Sequence, residues 1–153
     1  MSAEPFVTRV PVRWSDFDRY GHVNNISYLN FAQEARVHLV RDSQSAGAPL
    51  PPMVVRSIRV DYLRALLPDT VEVRVESEIT RIGRTSYTLR QTISDGHDNA
   101  AAVVDTVMVF VDLDTASPMA LTPSTRQMLQ QFASDEATGD ADSAPTEHSP
   151  KRS

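Results

Sequence analysis

The chain contains no cysteine and a single lysine, Lys151, in its 153 residues. The first absence excludes thiol nucleophiles, Cys-ligated zinc, iron–sulfur clusters and disulfides together. The second leaves arginine as the only strongly basic side chain before the C-terminal end. Any anion bound there must therefore be met by guanidinium groups or backbone amides. Long apolar runs are missing too: nothing approaches the roughly 18 residues that a membrane-spanning helix needs. The opening stretch, MSAEPFVTRV, has neither a basic n-region nor an apolar h-region, so a cytoplasmic protein without membrane association is expected. A net charge of −5 argues against phosphate neutralisation, so no nucleic-acid partner is expected either. Neither a phosphate-binding glycine loop nor a nucleophile-elbow serine motif occurs.

With 41% hydrophobic and 23% charged residues, the chain is globular and long enough for one domain. Such a chain buries roughly two-thirds of its unfolded surface and needs no covalent staple. The charge is uneven. Segment 134–153, SDEATGDADSAPTEHSPKRS, has no aromatic, Leu, Ile, Val or Met, and carries five acids against Lys151 and Arg152. It cannot bury enough apolar surface to offset its ordering entropy, and is expected to be a disordered acidic tail. Residues 1–133 are expected to form the domain. With a tail charge of −3 removed from the total of −5, that domain carries only −2.

Hydrophobic spacing predicts the order β-α-β-β-β-β-α. Phe6 to Trp14 reads as a strand with Pro11 near an edge or bulge. From Asn24 to about Asp42 the period lengthens to that of a helix. Tyr28, Ala32, Ala35 and Leu39 lie on one stripe, and Ser27, Asn30, Glu34, His38 and Arg41 on the other side. Met53 to Leu63 alternates, with Val54, Ile58, Val60 and Tyr62 on one face. Val71 to Thr80 alternates valine with charge, as a sheet with one wet face does. Thr85 to Ser94 and Ala100 to Leu113 flank the hairpin signal Asp95-Gly96-His97-Asp98-Asn99. Thr122-Pro123 opens a short helix through Phe132. Strands joined by short turns are antiparallel, so the class is α+β: about five strands and one long buried helix.

The densest polar cluster precedes that helix: Asp16, Asp18, Arg19, His22, Asn24 and Asn25, with Gly21 allowing backbone geometry other residues avoid. Amides at a helix start carry partial positive charge and lack intrahelical partners. They can receive a developing oxyanion while an upstream carboxylate attacks or activates water. Asp and Asn in this position are more often simple caps, and spacing alone leaves both readings open. A zinc site from His22, Asp16 and Asp18 lacks a histidine pair at ligand spacing, so no metal is expected.

The string VRWSDFDRYGHVNNISYLNFAQEARV resembles the signature of hotdog-fold thioesterases of the 4-hydroxybenzoyl-CoA thioesterase type. In the acyl-CoA branch the loop reads Asp-x-x-x-His-Val-Asn-Asn, then Tyr-Leu and Glu-Ala-Arg. The likeness continues through SIRVDYLRALLPDTVEVRVE and IGRTSYTLRQTI, and covers about residues 7 to 132. It implies a hotdog fold, an antiparallel sheet wrapped around a central helix, and hydrolysis of acyl-CoA thioesters. No cofactor is implied, coenzyme A being part of the substrate. Asp18 matches the family's catalytic carboxylate, and the Asn25 backbone amide the donor that polarises the thioester carbonyl. Gly21, His22 and Asn24 complete the loop, with His22 ordering it. Glu34 is a second-choice carboxylate, since some hotdog thioesterases use one on the helix. The acyl chain is expected beside the helix from Tyr28 to Leu39. Arg84, then Arg81 and Arg59, are candidates for the phosphates of coenzyme A. The resemblance further implies a homodimer joined edge to edge, or a tetramer of such dimers, with sites between subunits. An acyl-carrier-protein thioesterase and a non-catalytic acyl-CoA-binding module are the competing readings.

Overall fold

Valine alternating with charge gives each strand one apolar face, and these faces need a common cover. A computed structural model describes residues 4–45, 47 and 50–138. Five strands, β1 (Phe6–Pro11), β2 (Met53–Tyr62), β3 (Glu72–Ile82), β4 (Ser86–Ser94) and β5 (Ala100–Phe110), form one sheet. Their order is β1-β3-β4-β5-β2, and every pairing is antiparallel. The long helix α1 (Asn25–Ser45) covers one face. Two shorter helices, α2 (Pro123–Gln130) and α3 (Asp135–Thr138), follow the sheet.

Helix α1 buries Tyr28, Phe31, Ala32, Ala35 and Leu39, as its period predicts. Ala32 and Ala35 are fully buried, and their small side chains let the helix approach Val73, Val75, Ile93 and Val104 closely. Phe31 adds about 1.5–3 kcal/mol by leaving water. The fully buried Gln91 pins helix to sheet: its side-chain amide donates to the Ala32 carbonyl at 2.9 Å and to Ser77 Oγ at 3.1 Å. A second cluster joins Ile79, Tyr87, Leu89, Met108 and Phe110 to Met128 and Leu129 of α2. That helix starts as expected, with the Thr122 hydroxyl accepting from Thr125 N.

Several expectations need correction. Ser27, placed on the polar side of the helix, is buried, because its hydroxyl bonds to a buried carboxylate. Val54 does not share a face with Ile58. A bulge between Val55 and Ser57 turns Val55 toward the helix side with Met108, while Val54 pairs with Val109 on the outer face. Strand β5 ends at Phe110, short of Leu113, because Asp112 Oδ1 accepts from the amides of Asp114 and Thr115 and starts a turn. The described residues run past the expected domain boundary at 133, with α3 at Asp135–Thr138. Ser134 N bonds to Ile79 O at 2.8 Å, and Glu136 on α3 reaches Arg90 at 3.2 Å. These backbone and ionic partners hold 134–138 against β3 despite few apolar side chains. The rest of the expected tail, 139–153, lies outside the described residues.

Candidate functional site

Two aspartates two residues apart take opposite roles in the loop before α1. Asp16 closes a single 3-10 turn (Trp14–Asp16) and is 2% exposed. Its carboxylate accepts from Arg13 N at 2.7 Å, Ser27 Oγ at 2.9 Å and the Arg13 guanidinium at 3.3 Å. Its carbonyl accepts from Asn24 N at 2.7 Å. Burial pushes the Asp16 pKa up, but these hydrogen bonds and the Arg13 charge outweigh it and hold the group below its ordinary value of 3.8. Asp16 thus ties the loop's entry to the helix start.

Asp18 points outward instead. Its Oδ1 accepts from Tyr20 N at 2.8 Å and His22 N at 3.2 Å, and its own N–H donates to the His22 carbonyl at 2.8 Å. Gly21 sits at φ 77°, where L side chains are disfavoured, and a Cβ there would also meet Pro68 Cγ at 3.3 Å. Such a tight loop leaves Asp18 with one oxygen held by two amides and no hydrogen bond to Oδ2 among the described residues. His22 contributes its backbone to this arrangement.

At the helix start, Asn24 caps. Its Oδ1 accepts from Ile26 N at 2.9 Å and its carbonyl from Ser27 N at 3.0 Å. Asn25 N–H, between them in register, has no acceptor among the described residues. The site therefore offers an oriented carboxylate and an open helix-terminal amide on one tied segment. That pair can attack or hydrate a carbonyl and receive the resulting oxyanion.

The remaining candidates are spread out. Tyr28 is buried in the core, and its hydroxyl accepts from Leu66 N at 3.1 Å, anchoring the loop after β2. Beside it, Tyr62 donates its hydroxyl to the Asn25 carbonyl at 2.8 Å. Glu34 is exposed and lies about 13 Å along α1 from Asn25 at 1.5 Å per residue. Arg59 pairs with Asp61 at 3.4 Å on the outer face of the sheet, away from α1, in register with Asp105. Arg81 and Arg84 lie where β3 turns into β4, level with Met108, Phe110 and Met53. Asp18 and Tyr62 mark the other end of the same protomer, so one protomer does not bring these arginines to its own carboxylate.

A cavity of about 530 Å³ opens at that arginine end. Val37, Val40, Leu50, Met53, Tyr87 and Met108 form its apolar walls, and Arg36 and Arg41 also face it. Burial pushes the Tyr87 hydroxyl up to about 12, and its protein partner is Met53 Sδ at 3.2 Å. Burial lowers Arg36. No group of three His, Asp or Glu among the described residues could hold a metal, and no helix among them is long and apolar enough to cross a membrane.

Sequence reasoning placed Asp16 in the polar cluster without a structural role, and missed Ser27, Tyr62 and Gln91 as supports of the site. Of these three, Ser27 left a trace, as a polar residue one position from the apolar stripe.

The sequence profile of the Thioesterase-like superfamily matches residues 12–132. The long-chain acyl-CoA thioesterase FadM of Escherichia coli is 33% identical over 131 residues, which cover 82% of this chain and 97% of that protein. The acyl-CoA thioester hydrolase YbgC of Escherichia coli is 32% identical over 123 residues, 76% of this chain and 90% of that protein. A Thermus thermophilus thioesterase crystallised with coenzyme A and zinc is 29% identical. It superposes with a TM-score of 0.71 over 86% of this chain and 96% of its own.

Proposed function

The chain belongs to the thioesterase-like superfamily, and from that premise we propose that it hydrolyses acyl-CoA thioesters with Asp18 as the catalytic carboxylate. One observation carries the assignment of the site: Asp18 has one oxygen fixed by Tyr20 N and His22 N and the other open. Attack by Oδ2 on the thioester carbon would expel the coenzyme A thiolate and leave a mixed anhydride for water to cleave. Alternatively, Oδ2 takes a proton from a water that attacks the same carbon, and the C–S bond then breaks, the coenzyme A thiolate leaving and taking up that proton. Both routes put negative charge on the carbonyl oxygen, and the Asn25 N–H is the group that receives it. Hydrolysis of acyl-CoA and of acyl-carrier protein bearing the same chain, followed with a thiol reagent, tests the reading. Faster turnover of the CoA ester is expected; release of thiol from neither donor would refute it.

The functional unit we propose is a homodimer joined through β2. That strand is a sheet edge of 10 residues exposing Val54, Val55, Ile58 and Tyr62, each more than 40% accessible. A long apolar edge is a template for pairing. The opposite edge is blunted: β1 has 6 residues and ends at Pro11, and beyond it Ala133 bridges to Ile79. Ile58→Lys is therefore expected to yield monomers in sedimentation analysis. A variant that sediments as the wild type would rule out this seam.

A further inference from the structure

Tyr62 ends β2, and it is the last residue of that strand to face the helix: Ile58, Val60 and Tyr62 pair in turn with Thr106, Val104 and Ala102. Just beyond it, Leu63 N and Arg64 N donate to the Ala101 carbonyl at 2.8 and 3.2 Å and fasten the strand end to β5. Although Tyr62 is 49% exposed, both parts of its side chain are engaged. The ring meets the Tyr28 ring edge-on, with centroids 5.2 Å apart and planes at 88°. The hydroxyl donates to the Asn25 carbonyl at 2.8 Å.

That bond differs in kind from the others around the helix start. Asn24 N donates to the Asp16 carbonyl at 2.7 Å, and Ile26 N to Asn24 Oδ1 at 2.9 Å. Ser27 donates through its N to the Asn24 carbonyl at 3.0 Å and through its Oγ to Asp16 Oδ1 at 2.9 Å. All of these join residues of the one segment 16–27, so they fix its internal shape and do not seat it on the sheet. Among the described residues, the Tyr62 hydroxyl is the one group of the sheet that hydrogen-bonds residues 24–27. It reaches the first residue of α1, where helices fray. That same residue carries the N–H that has no acceptor among the described residues.

We infer that Tyr62 is the positioning residue of the oxyanion donor: its hydroxyl holds the first turn of α1 at the place on the sheet where the Asn25 N–H meets a substrate carbonyl. This role rests on the thioesterase reading. The ring packs, and the hydroxyl places. Losing the hydroxyl returns an exposed carbonyl to water, at little cost in stability. A donor displaced by about 1 Å, in contrast, costs up to about 100-fold in rate. That cost falls on kcat, because the oxygen carries its full charge only in the transition state.

Tyr62→Phe keeps the ring and removes the hydroxyl. It is expected to lower kcat on acyl-CoA about 10-fold with KM within about twofold of the wild type. Its melting temperature should stay within about 2 °C, and it should sediment as the wild type does. A second readout bears on the substrate carbonyl directly. In a ketone analogue of acyl-CoA, a methylene replaces the thioester sulfur, and its ¹³C-labelled carbonyl gives an infrared band. That band is expected to shift to lower frequency on binding to the wild type, and about half as far on binding to Tyr62→Phe. A kcat equal to the wild type in Tyr62→Phe would overturn the inference. So would an equal band shift in the two proteins, or a loss of activity that follows a change in sedimentation. Wild type inactive on every acyl-CoA would refute the thioesterase reading and the inference with it; an active wild type with an indifferent Tyr62→Phe overturns the inference alone.

Discussion

Replacing Asp18 with Asn is expected to cut kcat on acyl-CoA by about 10³-fold or more, with a melting temperature within about 2 °C of the wild type. The two halves of that result have separate causes. The amide oxygen of Asn can still accept from Tyr20 N and His22 N, so the loop keeps its shape. The amide nitrogen would then sit where Oδ2 now lies, and it can neither attack a carbonyl nor take a proton from water. Binding of a non-hydrolysable acyl-CoA should persist, since the helix amide and the cavity are untouched. Single-turnover assays with thermal melts decide the matter. Wild-type turnover in Asp18→Asn would remove Asp18 from the mechanism and leave Glu34 as the nearest alternative carboxylate on α1.

Asp16→Ala should do something different: unfold the protein more easily. The substitution strips acceptors from Arg13 N, Ser27 Oγ and the Arg13 guanidinium in a place that is 2% exposed. Leaving the buried Ser27 hydroxyl and the part-buried Arg13 amide unmatched costs about 2–3 kcal/mol, while the exposed Arg13 guanidinium returns to water. For a domain of this size that lowers the melting temperature by about 5–10 °C. Activity should fall too, because Asp16 ties the loop to the start of α1. The effect should depend on pH in a defined direction. The folded carboxyl is held below 3.8, so its stabilisation is complete above the unfolded value and disappears as pH falls through the folded one. Urea melts of wild type and Asp16→Ala should therefore converge toward acid pH and separate near neutrality. Curves with a constant gap down to strongly acid pH would show that the carboxylate charge contributes nothing.

Much of this architecture is legible in local pattern. The alternation from Val71 to Thr80, the period of α1 and the Thr122-Pro123 start each depend on neighbours a few residues away, and each element forms close to where the pattern places it. The site is legible in part, through the resemblance of the loop rather than through its chemistry. Asp16 and Asp18 look equivalent in a linear reading; only burial and hydrogen bonding separate a structural carboxylate from an open one. The bulge between Val55 and Ser57 carries no turn residue, so the switch of Val54 to the outer face has no signal in the string.

By itself the sequence determined the chemistry available to this protein: no thiol, arginine for anions, carboxylates and a helix start concentrated in one loop. It also determined which segments become strand or helix, because backbone preference and side-chain period act over short distances. The tertiary structure decided the rest. Which strand becomes the free edge, which aspartate is buried by Ser27, and which end of the sheet carries Arg81 and Arg84 depend on contacts between residues far apart in the chain. Those contacts are selected by packing one helix against one face of a five-stranded sheet. That packing leaves β2 unpaired on one side, with the Asp18 loop at one end of the strand and the cavity at the other.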